Sequence, residues 1–285
     1  MLKADAEAAC RKADLALEVY FTGDNLGSQV SQIRAALDSP EPARAFVVLA
    51  TRDRGLARCV HAAARVGTSW IYMNRAEDDL SAIRQEFPGV AIATVTADEM
   101  ETGRIQGRQF RALVRPGGLV LYVQGGTRSA VARDRSAGML EAVAGAPFEV
   151  SLLEGGWDPL AARDAVRRWL GIVAPGNIRI DLVGCQNDPM ALAALEALHD
   201  AAEALGRPDL ARIPVTGCDG APAVGQRLVR EGTLAATVVL PNWGGTAVQA
   251  VARFLSHGEK PAPMTLLKPT SFPAERDLHG VAAAG

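Results

Sequence analysis

No stretch of this 285-residue sequence approaches the roughly 20 uninterrupted apolar residues that a membrane-spanning helix requires, so no transmembrane segment is expected. Neither charge sign is in excess: 30 Lys and Arg face 32 Asp and Glu, a formal net charge of −2, and no basic field offers itself to nucleic acid or anionic lipid. The four cysteines (Cys10, Cys59, Cys185, Cys218) are scattered without metal-ligand spacing. The four histidines form no cluster with them, so structural thiols are expected rather than a metal site or a disulfide. Catalytic signatures are missing as well. There is no G-x-S-x-G elbow, no HExxH, and no Cys or Ser with a nearby His. The glycine-rich stretches GGTRS (125–129) and EGGWD (154–158) lack the lysine of a phosphate-binding loop, and G-x-G-x-x-G after a strand does not occur. No catalytic residue, cofactor or metal is therefore expected. The amino end, MLKADAEAACRKADLALEVY, is amphipathic and carries acids throughout, unlike a signal peptide. No internal repeat or low-complexity linker marks a domain boundary.

What is present is an alternation. Short runs rich in Val, Ile and Leu take turns with helical-period segments of 10 to 17 residues. The runs are LALEVYF (15–21), AFVVLAT (45–51), TSWIYMN (68–74), VAIATVT (90–96), GLVLYVQ (118–124), FEVSLLE (148–154), IRIDLVG (178–184), RIPVTG (212–217), LAATVVLP (234–241) and MTLLKP (from 264). Near-continuous apolar strands of this kind belong to parallel sheets covered on both faces, the α/β class. So many units fit two doubly wound domains or, alternatively, a closed (β/α) barrel. At 30.0 kDa the chain is a natural size for two cores.

Polar residues recur where these strands end: Thr51 to Asp53, Asn74 and Arg75, Gly125 to Ser129, Trp157, Asn187, Asp219, Asn242 and Trp243. In open α/β sheets such ends share one edge, where ligands bind. Arginine donors, carboxamides and an aromatic plate are what a neutral polyol or sugar requires. In VGCQNDPMALAALEAL (183–198), Asp188 reads as the helix cap, which leaves Asn187 free for a ligand. Arg133 or Arg135 is expected at the site and the other on the surface. Arg104, Arg108 and Arg111 share one helix face and read as solvated. Trp70 and Trp169 read as core.

Four segments resemble the type I periplasmic binding proteins and the related effector domains of lactose-repressor-like regulators: NR (74–75), GTRSAVARDRSAGM (126–139), CQNDPMALAALEAL (185–198) and VTGCDGAPAVGQRLVREGTLAATVV (215–239). The resemblance runs over roughly residues 10 to 268. It implies two doubly wound parallel-sheet lobes, residues 1–100 with 242–264 and residues 101–241 with 265–285. Three strand crossovers near 97–103, 240–244 and 264–268 would form the hinge. A sugar or polyol would close between the lobes. Matched to the family's motifs, Asn74 and Arg75 would bind from the first lobe, and Arg135, Trp157, Asn187 and Asp219 from the second. Trp157 would stack, and the others would hydrogen-bond hydroxyls. The implied protein is not an enzyme but a solute-binding protein delivering its ligand to an ABC-type membrane permease in the periplasm. The alternative is a cytoplasmic effector domain or the sensing domain of a kinase.

The chain departs from the family pattern in three places. It begins within the family's first helix, so the first strand is missing and an upstream start is the expected explanation. Leu240 stands where many sugar binders have glutamine. Ala50 or Thr51 stands at the family's polar position after the VVLA strand.

Overall fold

In a computed structural model of the chain, residues 2–23, 25–52, 54–74, 80–173 and 179–280 are described. The chain divides into two units, the first comprising Met1–Ala97 and Pro241–Leu267, the second Asp98–Leu240 and Lys268–Gly285.

The first unit contains helices α1 (Leu2–Lys12) and α2 (Leu26–Leu37), strand β1 (Ala45–Leu49), helix α3 (Ala57–Arg65), strand β2 (Ser69–Met73), helix α4 (Ser81–Glu86) and strand β3 (Ile92–Ala97). The second unit runs α5 (Glu99–Leu113), β4 (Leu119–Gln124), α6 (Ala130–Val143), β5 (Glu149–Glu154), α7 (Pro159–Val173), β6 (Leu182–Cys185), α8 (Asp188–Leu205), β7 (Val215–Asp219), α9 (Gly225–Arg230) and β8 (Ala236–Val239). Helix α10 (Trp243–His257) and strand β9 (Met264–Leu267) return to the first unit, and β10 (Thr270–Phe272) closes the second.

The first sheet has the order β1-β2-β3-β9 and is parallel throughout. Its centre is β2, where Trp70, Ile71 and Tyr72 are fully buried, as the unbroken apolar run SWIYM requires of a strand covered on both faces. The second sheet has the order β10-β8-β7-β6-β4-β5. Its β4 to β8 ladder is parallel, and helices α7 and α8 pack on one face through Ala162, Val166, Leu170, Met190, Ala194 and Leu198. The α/β class with parallel-dominated sheets is thus observed.

Three expectations are corrected. LALEVYF forms no strand: β1 is an edge strand of the first sheet, and the run 15–21 pairs with neither it nor any other strand. Leu15 packs against the core of the first unit, but Leu17, Val19, Tyr20 and Phe21 are exposed, Phe21 at 75%, and without a neighbouring strand the run has no ladder to satisfy its backbone groups. Strand β10 was not anticipated, and it pairs antiparallel with β8 at the sheet edge, Thr270 opposite Val239. Nor are Arg104, Arg108 and Arg111 a solvated face. Arg104 pairs with Glu141 at 3.0 Å, Arg108 with Glu101 and Glu275 at 2.8 Å each, and Arg111 donates to the carbonyls of Ala142 and Ala144. These contacts tie α5 to α6 and to the carboxyl-terminal segment.

Backbone packing brings the same two helices together. A Cβ built on Gly103 would lie 1.9 Å from the carbonyl oxygen of Arg135, and one on Gly138 would lie 2.0 Å from that of Met100. Helix separation is set by the side chains at the contact, and at Gly103 and Gly138 there are none. The close approach places the middle of α6 beside the start of α5.

Candidate functional site

Strands β5, β4, β6 and β7 are neighbours and parallel, so their carboxyl ends share one edge of the second sheet. At that edge lie Gly125 after β4, Trp157 after β5, Gln186 and Asn187 after β6, and Asp219 at the end of β7.

Of the described residues other than glycine, four have positive φ: Asp14, Asn74 (68°), Trp157 (66°) and Asp219 (111°). Three of them are candidate ligand residues. Such conformations cost on the order of 1–3 kcal/mol each and concentrate at functional sites.

Arg135 organises the edge. It projects from α6 and is only 3% exposed, whereas Arg133 is a surface residue. Its Nε donates to Glu99 Oε2 at 2.6 Å, and one terminal nitrogen donates to the Gln186 carbonyl at 2.6 Å and to Cys218 Sγ at 3.4 Å. The Trp157 ring covers the guanidinium, with the ring centroid 5.5 Å from the Arg135 Cζ. Gly125 permits this: a Cβ there would fall 2.1 Å from the Trp157 ring. The indole nitrogen of Trp157 is buried without a hydrogen-bond partner.

Beneath this layer, Gln186 is fully buried. Its oxygen accepts the Gly125 N–H at 2.8 Å, and its amide donates to the Tyr122 hydroxyl, the Ala132 carbonyl and Ser136 Oγ. Tyr122 in turn donates to Gln106, which donates to the Cys185 carbonyl. Burial pushes the thiols of Cys185 and Cys218 well above their ordinary range. All four cysteines are free and buried. A network this fully paired fixes its members in one arrangement.

The start of α8 reverses the expected division of labour. Asn187, not Asp188, is the cap, its side-chain oxygen accepting the Met190 N–H at 2.8 Å. Asp188 is the first helical residue, and its carboxylate accepts from Thr237 Oγ1 at 2.7 Å and from the Gly220 N–H at 3.0 Å. Pro189 explains the shift, because proline is favoured in the first turn, where its missing N–H costs nothing. Capping uses the Asn187 oxygen and does not use its NH2 group.

Asp219 is partly buried. Desolvation pushes its carboxyl up to about 7, opposed by the Arg135 charge and reinforced by Asp188 and Glu99. Desolvation likewise carries Asp188 up to about 6, against the pull of its bonds from Thr237 and Gly220. Perturbed carboxyls beside a buried arginine at a strand-end edge make this a candidate site.

In the first unit, Asn74 follows β2. Its N–H donates to the Val95 carbonyl, its own carbonyl accepts from the Thr96 hydroxyl, and its side-chain oxygen is buried without a partner. Arg75 lies outside the described residues. Leu240 is buried. The Thr51 hydroxyl donates to Gln29 Oε1 at 3.3 Å. Trp70 is core, and Trp169 packs against the core of the second unit. Glu99 and Gln186 escaped the reading of the sequence. An acid in a first helical turn is ordinarily read as serving that helix, and Gln186 stood beside two better-known capping residues. Among the described residues, no group of His, Cys, Asp and Glu is arranged to hold a metal ion, and no helix is long and apolar enough to cross a membrane.

The sequence matches the family described as periplasmic binding protein domain over residues 2–260. A curated relative, the ribose import binding protein of Salmonella typhimurium, is 33% identical over 184 residues, covering 62% of this chain and 56% of the relative. Two solved structures share the fold. One is an ABC transporter periplasmic solute-binding protein from Actinobacillus succinogenes 130z with bound D-allose (TM-score 0.78, 18% identity, 98% and 93% coverage). The other is the fructose-binding periplasmic domain of a hybrid two-component system (TM-score 0.78, 20% identity, 99% and 88% coverage). The chain belongs to the periplasmic binding protein domain family, a family of non-enzymatic solute-binding proteins.

Proposed function

We propose that the chain is a periplasmic sugar-binding protein that closes two lobes on a neutral sugar or polyol and presents it to the membrane permease of an ABC transporter. The observation that carries this reading is the convergence at one sheet edge of Trp157 over Arg135, the free Asn187 NH2 group and the strained Asp219. Trp157 offers an apolar plate for the C–H face of a ring. Asp219, when ionised, accepts from hydroxyls, Asn187 donates to one, and Arg135 presents its remaining N–H groups beside them. Asn74 and Arg75 contribute from the first lobe. Closure is a population shift whose extent depends on the ligand touching both lobes. The names of the curated relatives, which include a galactofuranose-binding protein, support a furanose or pyranose ligand. The second reading, the sensing domain of a signalling protein, is favoured by the likeness to a two-component periplasmic domain and uses the same pocket.

A thermal-shift panel of pentoses, hexoses, inositols and polyols tests the binding claim. A ligand at 100 times its dissociation constant is expected to stabilise the protein by about 2.7 kcal/mol. No shift with any member of the panel contradicts the reading.

A further inference from the structure

We propose that Glu99 is a specificity-determining residue: by occupying the Arg135 guanidinium, it makes this pocket reject sugar acids and sugar phosphates while accepting uncharged sugars. The inference rests on the sugar-binding reading above and adds a residue and an excluded ligand class to it.

An uncommitted arginine is an anion receptor, since its planar fork matches carboxylate and phosphate geometry. Here the Nε edge of that fork is taken. Glu99 Oε2 holds Arg135 Nε at 2.6 Å, with both side chains almost wholly buried, at 7% and 4% exposure. A terminal nitrogen is spent on the Gln186 carbonyl and Cys218 Sγ, and Trp157 covers the guanidinium. The local charge then favours no anion. Three carboxylates, Glu99, Asp188 and Asp219, act on this cluster against the single guanidinium. An incoming carboxylate or phosphate would meet a surplus of negative charge in a poorly solvated setting, where repulsion is weakly screened. A hydroxyl can instead donate to Asp219 when ionised, and Glu99 Oε1, buried without a hydrogen-bond partner, adds to the unneutralised acceptor character behind Arg135. The arrangement is built by the glycines of α5 and α6, whose missing side chains let Arg135 reach the first turn of the neighbouring helix.

The test is calorimetric titration of the full chain with three probes, D-ribose (or the best neutral sugar of the panel), D-ribonate and D-ribose 5-phosphate, repeated on Glu99→Gln and Glu99→Asp. In the unaltered protein, both anions are expected to bind at least tenfold more weakly than the neutral sugar. Glu99→Gln removes the carboxylate charge opposite the guanidinium while leaving an amide oxygen that can still accept from Arg135 Nε, and should narrow that ratio by at least tenfold. Glu99→Asp keeps the charge on a shorter arm and should narrow it about threefold, which carries the test if the Gln variant does not fold. Anions that bind the unaltered protein as well as the neutral sugar overturn the inference and leave the sugar-binding reading standing. Variants in which neutral and anionic probes weaken alike overturn it too, since that is the signature of a merely structural role. Failure of every neutral sugar to bind the unaltered protein overturns the sugar-binding reading, and this inference with it.

Discussion

Arg135→Met is expected to destabilise the second unit by about 3–5 kcal/mol, the usual cost of removing one partner of a buried ion pair. The substitution deletes the hydrogen bonds to Glu99, the Gln186 carbonyl and Cys218, and it leaves Glu99 and Asp219 without their common counter-charge. Methionine fills much of the volume under Trp157, so the loss is electrostatic rather than a cavity. Combining it with Glu99→Gln should recover most of the stability, because a buried pair replaced on both sides is often close to neutral. Urea unfolding of the two single variants and the double variant forms a cycle that isolates the coupling. A loss below about 1 kcal/mol for Arg135→Met, the range of exposed pairs, would contradict the buried-pair account.

The second large effect concerns packing. Gly103→Ala should cost about 1–3 kcal/mol or more, because the added methyl meets the backbone of Arg135 rather than a side chain that can turn aside. Helix α6 can relieve the overlap only by moving away from α5, which draws Arg135 from Glu99. Ligand-induced stabilisation should therefore fall together with stability. Gly171→Ala in α7 is the control: it is exposed, a Cβ there meets nothing within 4 Å, and the change should be neutral or stabilising by up to about 1 kcal/mol. Thermal unfolding with and without sugar reads both effects. Equal behaviour of the two alanine variants would contradict the assignment of the α5 and α6 contact.

How much of this was written in the sequence depends on the range of the interaction. The strands from β1 to β9 follow from short Val, Ile and Leu runs bounded by polar residues, a local signal that survives folding. The exception, residues 15–21, has the same composition, but a strand is a relation between two segments, and composition does not reveal whether a neighbour is present. Arg135 could be chosen over Arg133 only by resemblance, because residues two apart lie on opposite sides of one helical turn and the pattern does not say which side faces the interior. Asn187 and Asp188 were exchanged because both residue types cap helices equally well, and the proline after them tips the choice. Glu99 was not legible at all. Its partner lies 36 residues away on a different helix, and two glycines, silent in any periodicity, bring them together.

If the acid-rich edge around Arg135 holds an uncharged, hydroxyl-bearing ligand as proposed, the ionised Asp219 is the group that accepts from it. Desolvation sets that carboxyl near 7, opposed by the Arg135 charge and reinforced by Asp188 and Glu99. A ligand that donates to the carboxylate binds the deprotonated form, so affinity should rise with pH through about 7 and level off above it. In the absence of ligand the sign is opposite. An acid whose folded value exceeds its unfolded one stabilises the fold below about pH 4, and that contribution is lost as the pH rises through about 7. Calorimetric titration of the best panel sugar between pH 5.5 and 8.5, on the unaltered protein and on Asp219→Asn, separates the possibilities. The account predicts up to tenfold tighter binding per pH unit below 7 in the unaltered protein, and weak, pH-independent binding in the variant. Tight binding by Asp219→Asn with the same pH profile would contradict it.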